Sequence, residues 1–111
     1  MASVTANNGQ ARNGNVLGIA KDIQGTLDRA LHSNVVRYCV IECADGQSVR
    51  ITNRRITVGT NIHTCLVVWA HVVTDGDLIV ISLETQDHII SHVLHIKADL
   101  ITDVRFEEPT Y

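Results

Sequence analysis

The chain has 111 residues, of which 45% are hydrophobic and only 4% aromatic, and its formal net charge is −3. This length predicts one domain with a modest core, and the negative charge disfavours a general binder of nucleic acid or of acidic membranes. No leader-like segment and no run of roughly 18 apolar residues is present, which predicts a cytoplasmic protein without a membrane span.

The N-terminal third changes character twice. Residues 1–15 are small, polar and turn-forming, which predicts an arm that is flexible or docked on a partner, followed by a single β domain over residues 16–111. The sequence of residues 16–20 predicts a short strand. Apolar residues at helical spacing predict a helix over residues 22–33, and we expect it to begin after Thr26 because Gly25 costs about 1 kcal/mol inside a helix.

The middle of the chain carries two hairpin signals. Apolar β-branched runs flank Asp45-Gly46, and a second pair of runs, residues 62–73 and 78–84, flanks Asp75-Gly76. Asp-Gly favours a type I′ turn, in which both central residues have positive φ, so each dipeptide is predicted to close an antiparallel hairpin. Alternation then assigns six residues to the core: Leu66, Val68, Ala70, Ile79, Ile81 and Leu83.

Residues 87–106 are compatible with one helix or with two strands. We favour strands at 89–97 and 100–106, because β-branched residues dominate and polar residues interrupt the pattern. The predicted fold is therefore mainly β: a small antiparallel barrel or sandwich of six to seven strands with one short helix.

A mixed polar and aromatic face is predicted on the strand at 62–73. Its outward positions are His63, Cys65, Trp69 and His71, opposite the predicted core residues. Trp is enriched at protein interfaces, so this face is interpreted as the contact of a homo-oligomer. The alternatives are a metal or ligand site, a thiol–imidazole pair, or a second core layer that contains Trp69.

Two other clusters suggest weaker hypotheses. His88, His92 and His95 would share one face of a helix and form a metal site there, whereas a strand would separate them. Arg37, Arg50, Arg54 and Arg55 form the only basic cluster, which suggests a single-stranded nucleic-acid groove, but the aromatic residues needed for stacking are few. Cys39 and Cys43 are expected to be buried, inert thiols.

The absence of recognisable catalytic motifs limits the functional prediction. The sequence contains no glycine-rich phosphate loop, no GxSxG motif and no paired-cysteine zinc motif. It therefore favours a non-catalytic structural or interaction protein that forms a homo-oligomer through a β face and needs no cofactor. The alternative is a small β-barrel that binds single-stranded nucleic acid or a small apolar ligand, and a metal-dependent enzyme ranks third.

Overall fold

A computed structural model describes residues 9–108 of the chain, with side chains from residue 15 onward. Within these residues there are one α-helix, eight strands and a short 3₁₀ helix at Ala98–Leu100. The elements are α1 (Gly9–Leu31), β1 (Tyr38–Cys43), β2 (Ser48–Ile51), β3 (Arg55–Val58), β4 (Asn61–Thr64), β5 (Trp69–Asp75), β6 (Leu78–Glu84), β7 (Ile90–Lys97) and β8 (Ile101–Glu107). The mainly β prediction is confirmed.

The strands form two antiparallel sheets. The first has five strands in the order β4-β3-β2-β1-β8, and the second has three in the order β5-β6-β7. The sheets do not close into a barrel, so the sandwich alternative holds. The last two strands confirm the favoured interpretation of residues 87–106.

The helix is longer than the sequence predicted and replaces the strand expected at 16–20. Val16 and Ala20 are buried and continue the stripe of Ile23 and Leu27 toward the N-terminus. Their burial outweighs the intrinsic cost of glycine within the helix. Thr26 lies inside the helix, where its hydroxyl donates to the Asp22 carbonyl at 2.7 Å. Residues 9–15 of the predicted arm are helical, and residues 1–8 lie outside the described range.

Both predicted hairpins are present, but neither uses the predicted turn type. In the first, Gly46 N–H donates to the Cys43 carbonyl at 3.1 Å and Gly46 alone has positive φ, which indicates a type I turn followed by a bulge. In the second, Asp75 pairs with Leu78, so the central residues are Gly76 and Asp77. Only Gly76 has positive φ, as a type II′ turn requires.

The predicted long strand at 62–73 is broken. Residues 65–68 carry the chain from β4 in the first sheet to β5 in the second. The alternation is lost there: Leu66 is 62% exposed and Val68 is half-buried, whereas Val67 is buried. The core assignment of Leu66 and Val68 is therefore wrong, and the other four predicted core residues, Ala70, Ile79, Ile81 and Leu83, are confirmed.

Helix α1 covers one of the two junctions between the sheets. The Arg29 guanidinium lies 4.0 Å from the ring centroid of Phe106 on β8. On β5, Gln24 Nε2 donates to the Ala70 carbonyl and Gln24 Oε1 accepts from the Val72 N–H, both at 2.8 Å. The helix thus caps the edge of the second sheet, which would otherwise present unpaired backbone groups. Among the described residues, no helix is long and apolar enough to cross a membrane.

Candidate interaction surface

Trp69 and His71 lie on the outer face of the three-stranded sheet. Ala70, between them, is buried and Val72, which follows His71, is half-buried, so alternation along β5 turns the Trp and His side chains outward. Trp69 is 38% exposed, which excludes its placement in a second core layer.

Strand register extends this surface across all three strands. Trp69, Glu84 and Ile90 form one cross-strand row, and three further rows follow it. We call the twelve residues of these rows the outer sheet face: Trp69, Glu84 and Ile90; His71, Ser82 and Val93; Val73, Val80 and His95; Asp75, Leu78 and Lys97. Four large apolar side chains on it are substantially exposed: Val73 at 57%, Ile90 and Val93 at 47%, and Trp69 at 38%.

Glu84 hydrogen-bonds two histidines at the end of the outer sheet face that lies next to the turn before β7. Its carboxylate accepts hydrogen bonds from His71 Nε2 and from His88 Nδ1, each at 2.9 Å. The bonds from His88 and His71 lower the pKa of Glu84. The His88 ring stacks on Trp69, with centroids 5.2 Å apart and planes 7° from parallel. These contacts fix the orientation of the exposed indole.

His88 is also the only non-glycine residue with positive φ (63°) among the described residues. This conformation is unfavourable by roughly 1–2 kcal/mol for most side chains, although His tolerates it better than bulky residues do. The contacts with Glu84 and Trp69 offset that cost. The turn before β7 therefore holds the imidazole of His88 against the outer sheet face.

His63 and Cys65 do not share the face of Trp69 and His71, contrary to the prediction. The break at residues 65–68 places His63 on the exposed edge strand β4 and leaves Cys65 half-buried beside His92. Cys65 Sγ lies 4.0 Å from His92 Nδ1, and the rings of His63 and His92 have centroids 4.9 Å apart. This contact brings β4 and β7 together at the junction that α1 does not cover.

The Cys65–His92 contact lacks the geometry of an activated nucleophile. Its 4.0 Å separation lies at the long limit for a hydrogen bond that involves sulfur. The other described neighbour of His92 Nδ1 is the Ser91 hydroxyl at 3.2 Å, so no carboxylate orients the ring.

The three histidines predicted as a metal site are dispersed. The segment is a strand, His88 precedes it, and His92 and His95 pair with Leu83 and Val80, which face opposite sides of the sheet. In the part of the chain that the structure describes, no group of three or more His, Cys, Asp or Glu side chains is arranged to hold a metal ion.

The four arginines do not form a common unpaired basic surface. Arg50 pairs with Glu107 and lies over the ring of Tyr38, and Arg37 pairs with Glu108 at 3.4 Å. Arg54 and Arg55 are exposed at the turn between β2 and β3 and make no ion pair with residues 15–108. Neighbouring carboxylates thus reduce the attraction of Arg37 and Arg50 for phosphate.

Four residues of the outer sheet face were not among the residues predicted from the sequence: Val73, Glu84, Ile90 and Val93. Val73 shares the odd-numbered alternation of Trp69 and His71, so that pattern already contained it. Glu84, Ile90 and Val93 join the outer sheet face only through strand register, which the sequence does not specify. Comparison of the chain with models of protein families, with curated proteins and with solved structures finds no match.

Proposed function

We propose that this protein is a non-catalytic interaction domain that forms a homo-oligomer by packing the outer sheet face of one copy against the same face of another. One observation carries the proposal: four large apolar side chains, each 38–57% exposed, lie in adjacent rows of one sheet. Two of them lie on β5 and two on β7, with Glu84 and Ser82 of β6 between, and face-to-face packing of two sheets at about 10 Å is a common way to remove such exposed apolar side chains from water.

The opposite charges of Asp75 and Lys97 favour one arrangement of the two copies. Asp75 and Lys97 stand at opposite ends of one cross-strand row. A two-fold axis parallel to the strands sets β5 of one copy over β7 of the other, so that each Asp75 faces a Lys97 and each Trp69 faces an Ile90. An isologous contact of this kind repeats every favourable pair twice.

The size of the sheet sets the expected affinity. Strands of seven or eight residues and three-strand width give a flat footprint of roughly 24 by 14 Å. That is below the roughly 800 Å² per partner of a standard stable interface, so we expect a dissociation constant in the micromolar range.

Sedimentation of matched variants tests the proposal. The parent is expected to be dimeric at about 100 μM, Val93→Lys monomeric, and Val35→Lys unchanged, since Val35 is equally exposed but lies outside the outer sheet face. Asp75→Lys and Lys97→Asp should each weaken the dimer, and the double variant should restore it. A parent that stays monomeric at several hundred micromolar, or a Val93→Lys protein that still associates, contradicts the proposal.

A further inference from the structure

A cavity of about 250 Å³ lies between the two sheets, where β7 faces β2 and β3. Val49 and Val58 line it from the first sheet, and Leu94 and Ile96 line it from the second. This position lies away from α1, which packs mainly on β1, β5 and β8.

The lining side chains point inward yet are incompletely packed. Leu94 and Ile96 pair across the sheet with Ile81 and Ile79, which are fully buried, so all four face the interior. Nevertheless Val58, Leu94 and Ile96 are only half-buried, although they pack against the core. Helix α1 fills the junction between β5 and β8, whereas the junction on the other side is closed by the Cys65–His92 contact at the start of β7 and stays open beside residues 94–97.

We propose that this cavity binds an uncharged, largely apolar small molecule of about ten non-hydrogen atoms. The size follows by scaling from a 150 Å³ apolar protein cavity that holds benzene. Apolar walls with a few polar groups at the opening are the usual composition of a small-molecule site.

The charged residues at the opening of the cavity indicate the charge of the ligand. Asp45 and Lys97, which carry opposite charges, both border the cavity, so its opening has no net preference for an anion or a cation. Cys43 also lines it, and burial together with Asp45 and Glu42 raises the pKa of that thiol, which keeps it neutral near pH 7. An uncharged, largely apolar ligand therefore suits both the apolar walls and an opening whose two charges are opposite in sign.

Methyl NMR spectroscopy of the full chain with indole as the probe tests this site. Indole should shift the methyl signals of Val49, Val58, Leu94 and Ile96, with a dissociation constant between roughly 10 μM and 1 mM. Leu94→Trp, which fills part of the cavity, should weaken binding at least tenfold, whereas Leu17→Trp on the exposed side of α1 should not change it. If Leu94→Trp does not melt cooperatively, Val58→Phe narrows the cavity from the opposite sheet.

Three results would overturn the proposal. They are the absence of methyl shifts up to 5 mM indole, shifts concentrated on Val73 and Val93 of the outer sheet face, and an unchanged affinity in a folded cavity-filling variant. The oligomeric state is measured in the same samples. Because binding is read from methyl signals inside the sandwich, a monomeric parent would contradict the proposed assembly without affecting this inference.

Discussion

Replacement of Gln24 tests whether one side chain of α1 caps the edge of the second sheet. Its amide donates to the Ala70 carbonyl and to Asp28 Oδ1, and its oxygen accepts from the Val72 N–H. Gln24→Leu keeps the volume but leaves the Ala70 carbonyl and the Val72 N–H without their partner. Ala70 is buried and Val72 half-buried, so water replaces the lost bonds poorly.

Gln24→Leu should lower the free energy of unfolding by about 2–3 kcal/mol. This value applies the lower part of the roughly 1–3 kcal/mol range for a buried group left unpaired to each of the two groups. This is a large fraction of the 5–15 kcal/mol that typically stabilises a domain, and it should lower the melting temperature by about 10 °C or more. Urea denaturation followed by circular dichroism measures the free energy of unfolding. Gln86→Leu, in the exposed turn before β7, is the matched control and should stay within about 0.5 kcal/mol.

Gln24→Glu separates the two hydrogen bonds. An ionised carboxylate still accepts from the Val72 N–H but repels the Ala70 carbonyl, whereas a protonated carboxyl group can donate to that carbonyl. The deficit of Gln24→Glu relative to the parent should therefore shrink as pH falls toward 4. If Gln24→Leu destabilises no more than Gln86→Leu, the edge is satisfied by water and the capping role is wrong.

Four further outcomes are expected from two glycines, the cysteines and one carboxylate. Gly25 lies inside α1 with open space at the added methyl, so Gly25→Ala should raise the free energy of unfolding by about 0.5–1 kcal/mol. Gly76 has a φ of +62°, so Gly76→Ala should lower the free energy of unfolding by about 1 kcal/mol or more. A thermal melt that shows a change of the opposite sign for either variant contradicts the reasoning for that glycine. Burial raises the pKa of Cys39 to about 12, so alkylation at pH 8 followed by peptide mass spectrometry should label Cys65 in the native protein and leave Cys39 unmodified until the chain unfolds. The hydrogen bond from Arg105 lowers the pKa of Glu107 below its ordinary 4.5, so the stabilisation by this pair is present above pH 4.5 and is lost as pH falls through the lowered pKa. Glu107→Gln should therefore reduce the fall in the free energy of unfolding at acid pH. A fall equal to that of the parent would show that the pair does not contribute.

The sequence predicted the elements whose signals are local. Alternation on both sides of Asp45-Gly46 and Asp75-Gly76 located two hairpins, because inward and outward positions differ in polarity along each strand. It did not predict the turn types, since positive φ falls on one glycine in each turn and the aspartates stay in ordinary conformations. Neighbouring turn residues alone do not specify loop length, which depends on where strand pairing ends.

The elements that were wrongly predicted from the sequence are those whose structure depends on tertiary contacts. Asn and Gly disfavour helix near residues 9–18, but burial of Val16 and Ala20 against the sandwich stabilises it there. Likewise, the apolar run at 62–73 gives no sign of the point where the chain leaves one sheet for the other. That crossing moved Leu66 into solvent and carried Cys65 to His92, a contact between residues 27 positions apart.

The candidate surface was predictable only in part for the same reason. Trp69 and His71 were correctly placed outward by alternation within one strand. Val93 and Ile90 required the register of β7 against β6, and that register contains an irregularity between Leu83 and Glu84. A pattern along one strand cannot reveal which residues of another strand stand beside it.

The two proposed sites share Leu78, His95 and Lys97 at one end of the sheet, but Val93 belongs only to the outer sheet face and Leu94 only to the cavity, which allows one pair of variants to separate them. Val93 points to the outer sheet face and Leu94 into the cavity, because they pair with Ser82 and Ile81 on opposite sides of β6. We therefore expect Val93→Lys to abolish self-association and leave indole affinity unchanged, and Leu94→Trp to weaken indole binding at least tenfold and leave the sedimentation coefficient unchanged. Each variant serves as the control for the other, since both alter the same exposed edge strand. If each variant changes both measurements, the substitutions deform β7 as a whole, and the assignment of separate functions to its two faces fails.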